Sequence, residues 1–224
     1  MDYEKPTVRP EIGRFYGFDH IKFYVGNAKQ TASFYTSRFG FEYYAYKGLE
    51  TGERAVVSHV VRNGDILFEI CSSLEPSDSN GIGEHIKVHG DAVKDVAFNV
   101  DDAKGIWEKA TKRGAISVME PKELKDEHGT VIVATVSTYG DATHTFVQRN
   151  GYTGTFLPGY KAHPKREVCN TVFPPVNIQF IDHCVGNQPE SEMEPTAQWY
   201  EKMLDFHRFW YVLYFNEIGL SMTR

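Results

Sequence analysis

Of the nine histidines in this 224-residue chain, the ones that matter chemically are those with partners able to share a metal ion. His20 taken with the carboxylates of Glu69 and Asp95 gives one imidazole and two carboxylates, a set suited to Fe(II), Mn(II) or Zn(II). The competing reading is a His20 hydrogen-bonded to a neighbouring carboxylate. His85 and His89 stand four apart, a spacing that on a helix puts both imidazoles on one face, as a zinc pair requires. Gly81, Gly83 and Gly90 surround them and no H-E-x-x-H glutamate lies between, so a solvated loop is the expectation. His59, His128, His144, His163 and His207 stand at no ligand spacing to one another and read as surface or packing residues. His183, taken by itself, reads as an exposed histidine on a broken sheet edge. No G-x-G-x-x-G or Walker-type loop occurs, and no Ser or Cys stands in a nucleophile motif. Cys71, Cys169 and Cys184 are an odd number without a C-x-x-C, which fits packing thiols in a reducing compartment.

What must position these side chains is a repeated unit. Residues 18–25 (FDHIKFYV) place Ile21, Phe23 and Val25 on one face of a strand and His20, Lys22 and Tyr24 on the other. Asn27 is a candidate N-cap, Ala28, Ala32, Tyr35 and Phe39 fall at helical spacing, and Gly40 suits the C′ position. Strands over 41–46 and 55–62 follow, and Asn63-Gly64 is a strong hairpin signal leading into a strand over 66–72. The same order recurs from Asp91. A strand over 94–100 precedes an N-cap at Asp101 or Asp102, and a helix carrying Ala103, Ile106, Trp107 and Ala110 is closed by Gly114. Strands over 116–120, 131–138 and 142–148 complete it, with the acidic stretch 120–127 read as a loop. Superposing the units puts His20 on Asp95 and, through the hairpins Gly64-Asp65 and Gly140-Asp141, Glu69 on Thr145. The candidate ligands thus fall at corresponding positions, and Thr145, replacing one, would record a site already lost.

Residues 150–176, with glycines and prolines early and Pro174-Pro175 near the end, read as a linker. Beyond it, NIQFIDHCVGN (177–187) repeats the Asp-His and Val-Gly-Asn of the first unit, and Pro195 opens a helix carrying Ala197, Tyr200 and Leu204. This third unit stops after its helix and a further strand, too short a piece to bury its own apolar face. The apolar faces of 180–185 and of that helix are therefore expected to be mobile or sticky, and proteolysis to cut after roughly Asn150.

Hydrophobic residues make up 41% and charged residues 24% of the chain, which excludes disorder, collagen and a simple coiled coil. Lys and Arg total 24 against 30 for Asp and Glu, a net charge of -6, so there is no basic field to attract nucleic acid. No apolar run reaches the roughly 18 residues of a bilayer span, and the charged residues of 1–9 do not suit a secretion signal. No nucleic-acid partner, no membrane insertion and a cytoplasmic location are expected.

Paired βαβββ units around a curved open sheet are the layout of the vicinal oxygen chelate superfamily, so the chain resembles an α+β protein with a curved mixed sheet, one complete domain and the start of a second. Within that superfamily, the segments GFDHIKFYVGNAKQTASFY, EHIKVHGDAVKDVAFNVDD, GDATHTFVQRNGYTG, FLPGY and FPPVNIQFIDHCVGN resemble the front part of the 4-hydroxyphenylpyruvate dioxygenase family, over about residues 10–210. The resemblance implies an Fe(II)-dependent oxidoreductase of tyrosine and phenylalanine catabolism. Such an enzyme converts a small 2-oxo acid, 4-hydroxyphenylpyruvate, and O2 to homogentisate and CO2, and works as a homodimer. It also implies that His183, in Phe180-Ile181-Asp182-His183, matches the family's first iron ligand. The family's other two ligands, a histidine and a glutamate of a fourth unit, have no counterpart in this sequence.

The same resemblance divides the chain into an N-terminal arm 1–17, a first domain 18–149 made of units 18–73 and 91–149, a linker 150–176, and an incomplete start of the catalytic domain over 177–210. Residues 211–224, YVLYFNEIGLSMTR, depart from the family and read as a splice product, a gene-model error or a divergent natural terminus. With two of three iron ligands missing, a truncated chain of this kind is expected to be inactive alone and to pair with a full-length subunit, or to serve as a binding or oligomerisation module. Superfamily members can hold metal ligands at the positions of His20, Glu69, Asp95 and Thr145, so a glyoxalase-like metal domain using His20, Glu69 and Asp95 is the alternative.

Overall fold

The computed structural model describes residues 13–75, 77, 79–214 and 217–223, with side chains as far as Arg208, and shows the two repeated units joined edge to edge. In the first, β1 (Phe15–Tyr24) leads into α1 (Ala28–Arg38), then β2 (Glu42–Lys47), β3 (Val56–Asn63) and β4 (Ile66–Ser73). α1 begins where Asn27 is extended and its side chain accepts the Gln30 N–H at 3.0 Å, satisfying one of the free N–H groups of a helix start. After a connecting helix α2 (Ile82–His89), the second unit runs β5 (Ala92–Val100), α3 (Ala103–Lys112), β6 (Ser117–Asp126), β7 (Gly129–Ser137) and β8 (Thr143–Gln148). Asp102 caps α3 in the same way, accepting the Gly105 N–H at 2.8 Å.

The strands form one mixed sheet in the order β6-β7-β8-β5-β1-β4-β3-β2-β9, where β9 is the short strand Lys161–Ala162. β1 and β5 meet antiparallel at the centre, with Lys22 opposite Asp95. On either side β1 runs parallel to β4, placing Lys22 opposite Glu69, and β5 runs parallel to β8, placing Asp95 opposite Thr143. One face of the sheet packs against α1 and α3, burying Val25, Ala28, Ala32 and Phe41 in one unit and Phe98, Val100, Ala103 and Ile106 in the other. The opposite face is covered by the stretch 152–160: Phe156 packs with Ala45 and Val60, and Tyr152 and Leu157 lie against the cluster of Val131, Val133 and Val147. His20 stands on this second face, as its place in the alternation of β1 anticipates.

The structure departs from the sequence expectations at several points. β1 starts within the arm 1–17, at Phe15, and the remainder of that arm up to residue 12 lies outside the described residues. Residues 150–176 are not a free linker: Phe156 is buried, β9 pairs with β2, and α4 (Cys169–Val172) follows. The acidic stretch is strand, since β6 runs to Asp126 and pairs with β7 beyond a register shift between Met119 and Lys122, where Pro121 has no N–H to give. The pair His85 and His89 lies on α2. Gly81 and Gly90, at φ +73 and +70, are the caps of that helix and not breakers of it.

The third unit is also housed differently. No strand forms over 177–190, although Gln179 O accepts the Asp65 N–H at 3.0 Å and Ile178 and Ile181 rest on the first unit's core. A Cβ on Gly64 would lie 2.5 Å from Ile178 O, so the absence of a side chain in that hairpin is what lets the segment approach. α5 (Met193–Leu204) docks on α3, with Ala197, Met203 and Leu204 buried among Phe15, Phe98 and Ile106. Arg113 donates to Lys202 O at 3.0 Å and pairs with Asp205. A buried Leu-sized side chain stabilises by about 1.5–3 kcal/mol, and it is this packing that holds a 12-residue helix too short to persist alone. The helix stripe expected to be bare is therefore covered, whereas Phe180 and Val185 remain exposed. β10 (His207–Tyr214) and β11 (Glu217–Thr223) form a separate antiparallel pair. Among the described residues no helix is long and apolar enough to cross a membrane.

Candidate functional site

The central strand β1 would ordinarily send Asp19 and His20 to opposite faces. A register shift between Phe18 and His20 interrupts the alternation and both side chains are buried, at 7% and 2% exposure. His20 Nδ1 lies 2.7 Å from Asp19 Oδ1, and Arg149 grips the same carboxylate with two N–H donors, Nε to Oδ2 and Nη2 to Oδ1, each at 2.8 Å. On its other side His20 Nε2 is 3.5 Å from Glu69 Oε2, and the Lys22 ammonium is 3.2 Å from that same oxygen. Glu69 Oε1 accepts from the Tyr160 hydroxyl and from the Cys71 thiol. The Phe156 ring closes over His20 edge-on, with centroids 4.9 Å apart. Asp95 Oδ1 accepts from the hydroxyls of Thr143 and Thr145 at 2.5 and 2.9 Å. Glu69 Oε2 is held by the ion pairs with Lys22 and His20, and Asp95 Oδ2 is buried without a hydrogen-bond partner.

Burial works against the charge on His20, but the hydrogen bonds to Asp19 and Glu69 outweigh it and lift the pKa to about 9. Burial likewise raises Asp19, and His20 and Arg149 more than reverse this, bringing it down to about 2. Glu69 is held well below the usual carboxylate range because Lys22 and His20 overcome its desolvation, and Lys22 is held above its ordinary value mainly by Glu69. At neutral pH the centre is therefore a closed network of ions in which His20 is an imidazolium. Such a group has no lone pair to offer a metal until it loses a proton.

His183 is placed quite differently. It lies in the irregular stretch 177–190, exposed, with Nδ1 2.7 Å from Asp182 Oδ2. A carboxylate behind Nδ1 turns Nε2 outward, the orientation of a metal-bound imidazole. Among the described residues, the group of three potential ligand atoms all within 4.8 Å of one another is made by His85, His89 and Asp141. It is not made by His183, nor by His20 with Glu69 and Asp95.

The neighbouring carboxylate of the competing reading is Asp19; sequence reasoning missed Lys22 and Tyr160 as partners of Glu69 and Arg149 as the partner of Asp19. Lys22 was visible as a cation on the His20 face of β1; Tyr160 and Arg149 come from distant segments and left no local signal. Other histidines also find partners: His59 Nδ1 is 3.0 Å from His163 Nε2, and burial and its neighbouring His163 push His59 down to about 4. His144 bonds to Val96 O and to the Tyr200 hydroxyl, tying α5 to the sheet.

The model of the Glyoxalase/Bleomycin resistance protein/Dioxygenase superfamily matches residues 17–153. The chain belongs to this superfamily. Several curated relatives that match most of the chain are named 4-hydroxyphenylpyruvate dioxygenase. That of Tetrahymena thermophila is 53% identical over 213 residues, covering 93% of this chain and 53% of the relative. The Danio rerio protein is 53% identical over 209 residues, covering 93% and 52%, and the Caenorhabditis elegans protein 48% identical over 204 residues, covering 91% and 52%. The chain thus spans about half the length of the curated relatives it matches. Among solved structures, a mutant of 4-hydroxymandelate synthase from Streptomyces coelicolor superposes with a TM-score of 0.71 at 22% identity, covering 92% of this chain and 58% of that one. A xylose isomerase-like TIM barrel/4-hydroxyphenylpyruvate dioxygenase fusion gives 0.67 at 16% identity, covering 98% and 32%. At such identities the likeness speaks for the fold alone, the vicinal oxygen chelate arrangement of the superfamily.

Proposed function

We propose that this chain is part of a 4-hydroxyphenylpyruvate dioxygenase-type subunit, in which 18–149 is a structural domain and 177–210 begins the catalytic one. In that reading His183 is one ligand of a catalytic Fe(II), the substrates are 4-hydroxyphenylpyruvate and O2, and the products are homogentisate and CO2. The residues around His183 do not by themselves fit the iron. A facial-triad site takes two imidazoles and a carboxylate on one side of the ion, and Asp182 sits behind the imidazole, where it orients the ring. In this reading the segment 177–210 supplies one imidazole to the iron, and the other ligands come from outside that segment.

The observation that carries the structural reading of the first domain is Lys22. Its ammonium lies 3.2 Å from Glu69 Oε2, and its place in the sheet is opposite both Glu69 and Asp95. It supplies, from within the protein, the positive charge that a metal ion would bring. One arrangement favours a glyoxalase-like metal domain as a second reading: His20 Nε2 and Glu69 Oε2 face each other with Asp19 behind Nδ1, and Asp95 Oδ2 lacks a hydrogen-bond partner. That reading requires His20 to lose its proton and Lys22 to be displaced.

Oxygen uptake by the anaerobically iron-loaded chain on adding 4-hydroxyphenylpyruvate separates the two. The expected result is no substrate-dependent uptake and no iron binding that His183→Ala removes. Uptake that depends on His183 would overturn that expectation. Stoichiometric metal lost in the His20→Ala, Glu69→Ala double variant would favour the second reading.

A further inference from the structure

α2 joins the two units, and its sequence places His85 one turn before His89, so the two imidazoles share a face, their centroids 4.8 Å apart. The β7–β8 turn, Tyr139-Gly140-Asp141, brings a carboxylate to them from 52 residues away: Asp141 Oδ2 is 2.7 Å from His89 Nε2 and 3.9 Å from His85 Nδ1. Lys94 donates to the main-chain carbonyl of Asp141 and holds the turn in place. His85 is 6% exposed, wedged edge-on against the Tyr24 ring at 5.4 Å, and neither of its ring nitrogens has a hydrogen-bond partner. Buried polar atoms are ordinarily paired, so an imidazole with both nitrogens unmatched beside a second imidazole and a carboxylate is a ligand set without its ligand.

We propose that His85, His89 and Asp141 bind a divalent metal ion of the zinc type, at a site separate from the His20 network and from His183. Two imidazoles and one carboxylate are the donors that Zn(II) and its late-transition neighbours take, and three protein ligands leave a fourth position to water or to an anionic group. The ligand atoms lie within 4.8 Å of one another, against roughly 3.3 Å between ligands held 2.0–2.1 Å from a tetrahedral ion. The difference is within reach of rotamer changes of His89 and Asp141, both partly exposed, about a fixed His85. Lys94 puts a positive charge beside the site and lowers its affinity below that of an all-anionic cage. The bound ion fastens the connecting helix to the far hairpin of the second unit.

Titration of the 224-residue chain with Zn(II), and with Co(II) as a visible-absorbing probe of tetrahedral nitrogen ligation, tests the assignment. One ion per chain is expected, with a rise in melting temperature. His89→Ala and Asp141→Asn, both at exposed positions that leave the core intact, should each weaken binding by at least about tenfold, the scale on which even second-shell partners of a metal are felt. His183→Ala, at an exposed position, should leave the affinity unchanged. The absence of stoichiometric binding, its survival in the His89→Ala, Asp141→Asn double variant, or its loss in His183→Ala would overturn the proposal.

Discussion

The same dipeptide, Asp-His, occurs at Asp19-His20 and at Asp182-His183, and in both the imidazole Nδ1 sits 2.7 Å from the carboxylate. The local geometry is shared; everything else differs. At the first position the pair is buried under Phe156, the carboxylate is held by Arg149 and the far nitrogen meets Glu69. At the second it stands in irregular chain with both side chains largely exposed. The dipeptide fixes which nitrogen faces outward, and the surroundings decide whether that nitrogen carries a proton in a structural ion network or is open to a ligand brought from elsewhere.

This contrast breaks most visibly at Glu69. Glu69→Ala leaves the half-buried Lys22 without its ion-pair partner and the buried His20 with Asp19 alone, and a loss of about 3–5 kcal/mol in denaturant unfolding is expected. A change below about 1 kcal/mol would mean that the two cations are solvated in the folded chain. The pH dependence is the next largest effect. His20 is raised from 6.5 to about 9, so the stability it contributes is whole below pH 6.5 and disappears as pH rises through 9. At 1.36 kcal/mol per pKa unit this amounts to roughly 3 kcal/mol. Asp19 is lowered from 3.8 to about 2, so its contribution is whole above pH 3.8 and is lost as pH falls toward 2. The alkaline loss should be absent in His20→Gln when unfolding midpoints are compared across that range.

Tyr160→Phe removes a hydrogen bond to a charged carboxylate and should cost about 2 kcal/mol. Because Tyr160 lies beyond residue 150, a neutral result would show that the stretch 152–160 is not part of the domain's core. Asp182→Ala, the counterpart of removing Asp19, should stay within about 0.5 kcal/mol because the pair is exposed. A larger loss by calorimetry would reveal a partner covering His183 and would erase the contrast.

Much of the fold was legible because it rests on local signals. Asn27 caps where its spacing said it would, Asp102 is the cap of the two candidates Asp101 and Asp102, Asn63-Gly64 turns the hairpin, and the alternation of β1 put His20 on the face away from Ile21 and Val25. What was not legible depends on contacts across the chain or on residues with two meanings. Gly81 and Gly90 read as breakers but serve as caps, which concealed a helix and with it the shared face of His85 and His89. That the carboxylate beside His20 is Asp19 was hidden because a bulge suspends the two-residue period on which strand faces are assigned. Asp141, Arg149 and Tyr160 reach their partners only through the folded sheet. The bare apolar stripe of α5 was a sound deduction from the sequence of the third unit alone, but it omitted the surface of α3 that receives it.

The ends of the sheet bear on how this protein can meet others of its kind. At one end the two-residue β9 seals β2; at the other, β6 presents Glu120, Pro121, Lys122, Glu123 and Lys125, a run of charges interrupted by a proline. Neither rim is a template for growing the sheet into a neighbour. Accidental fibre formation by strand addition is discouraged at both borders of the nine-stranded sheet.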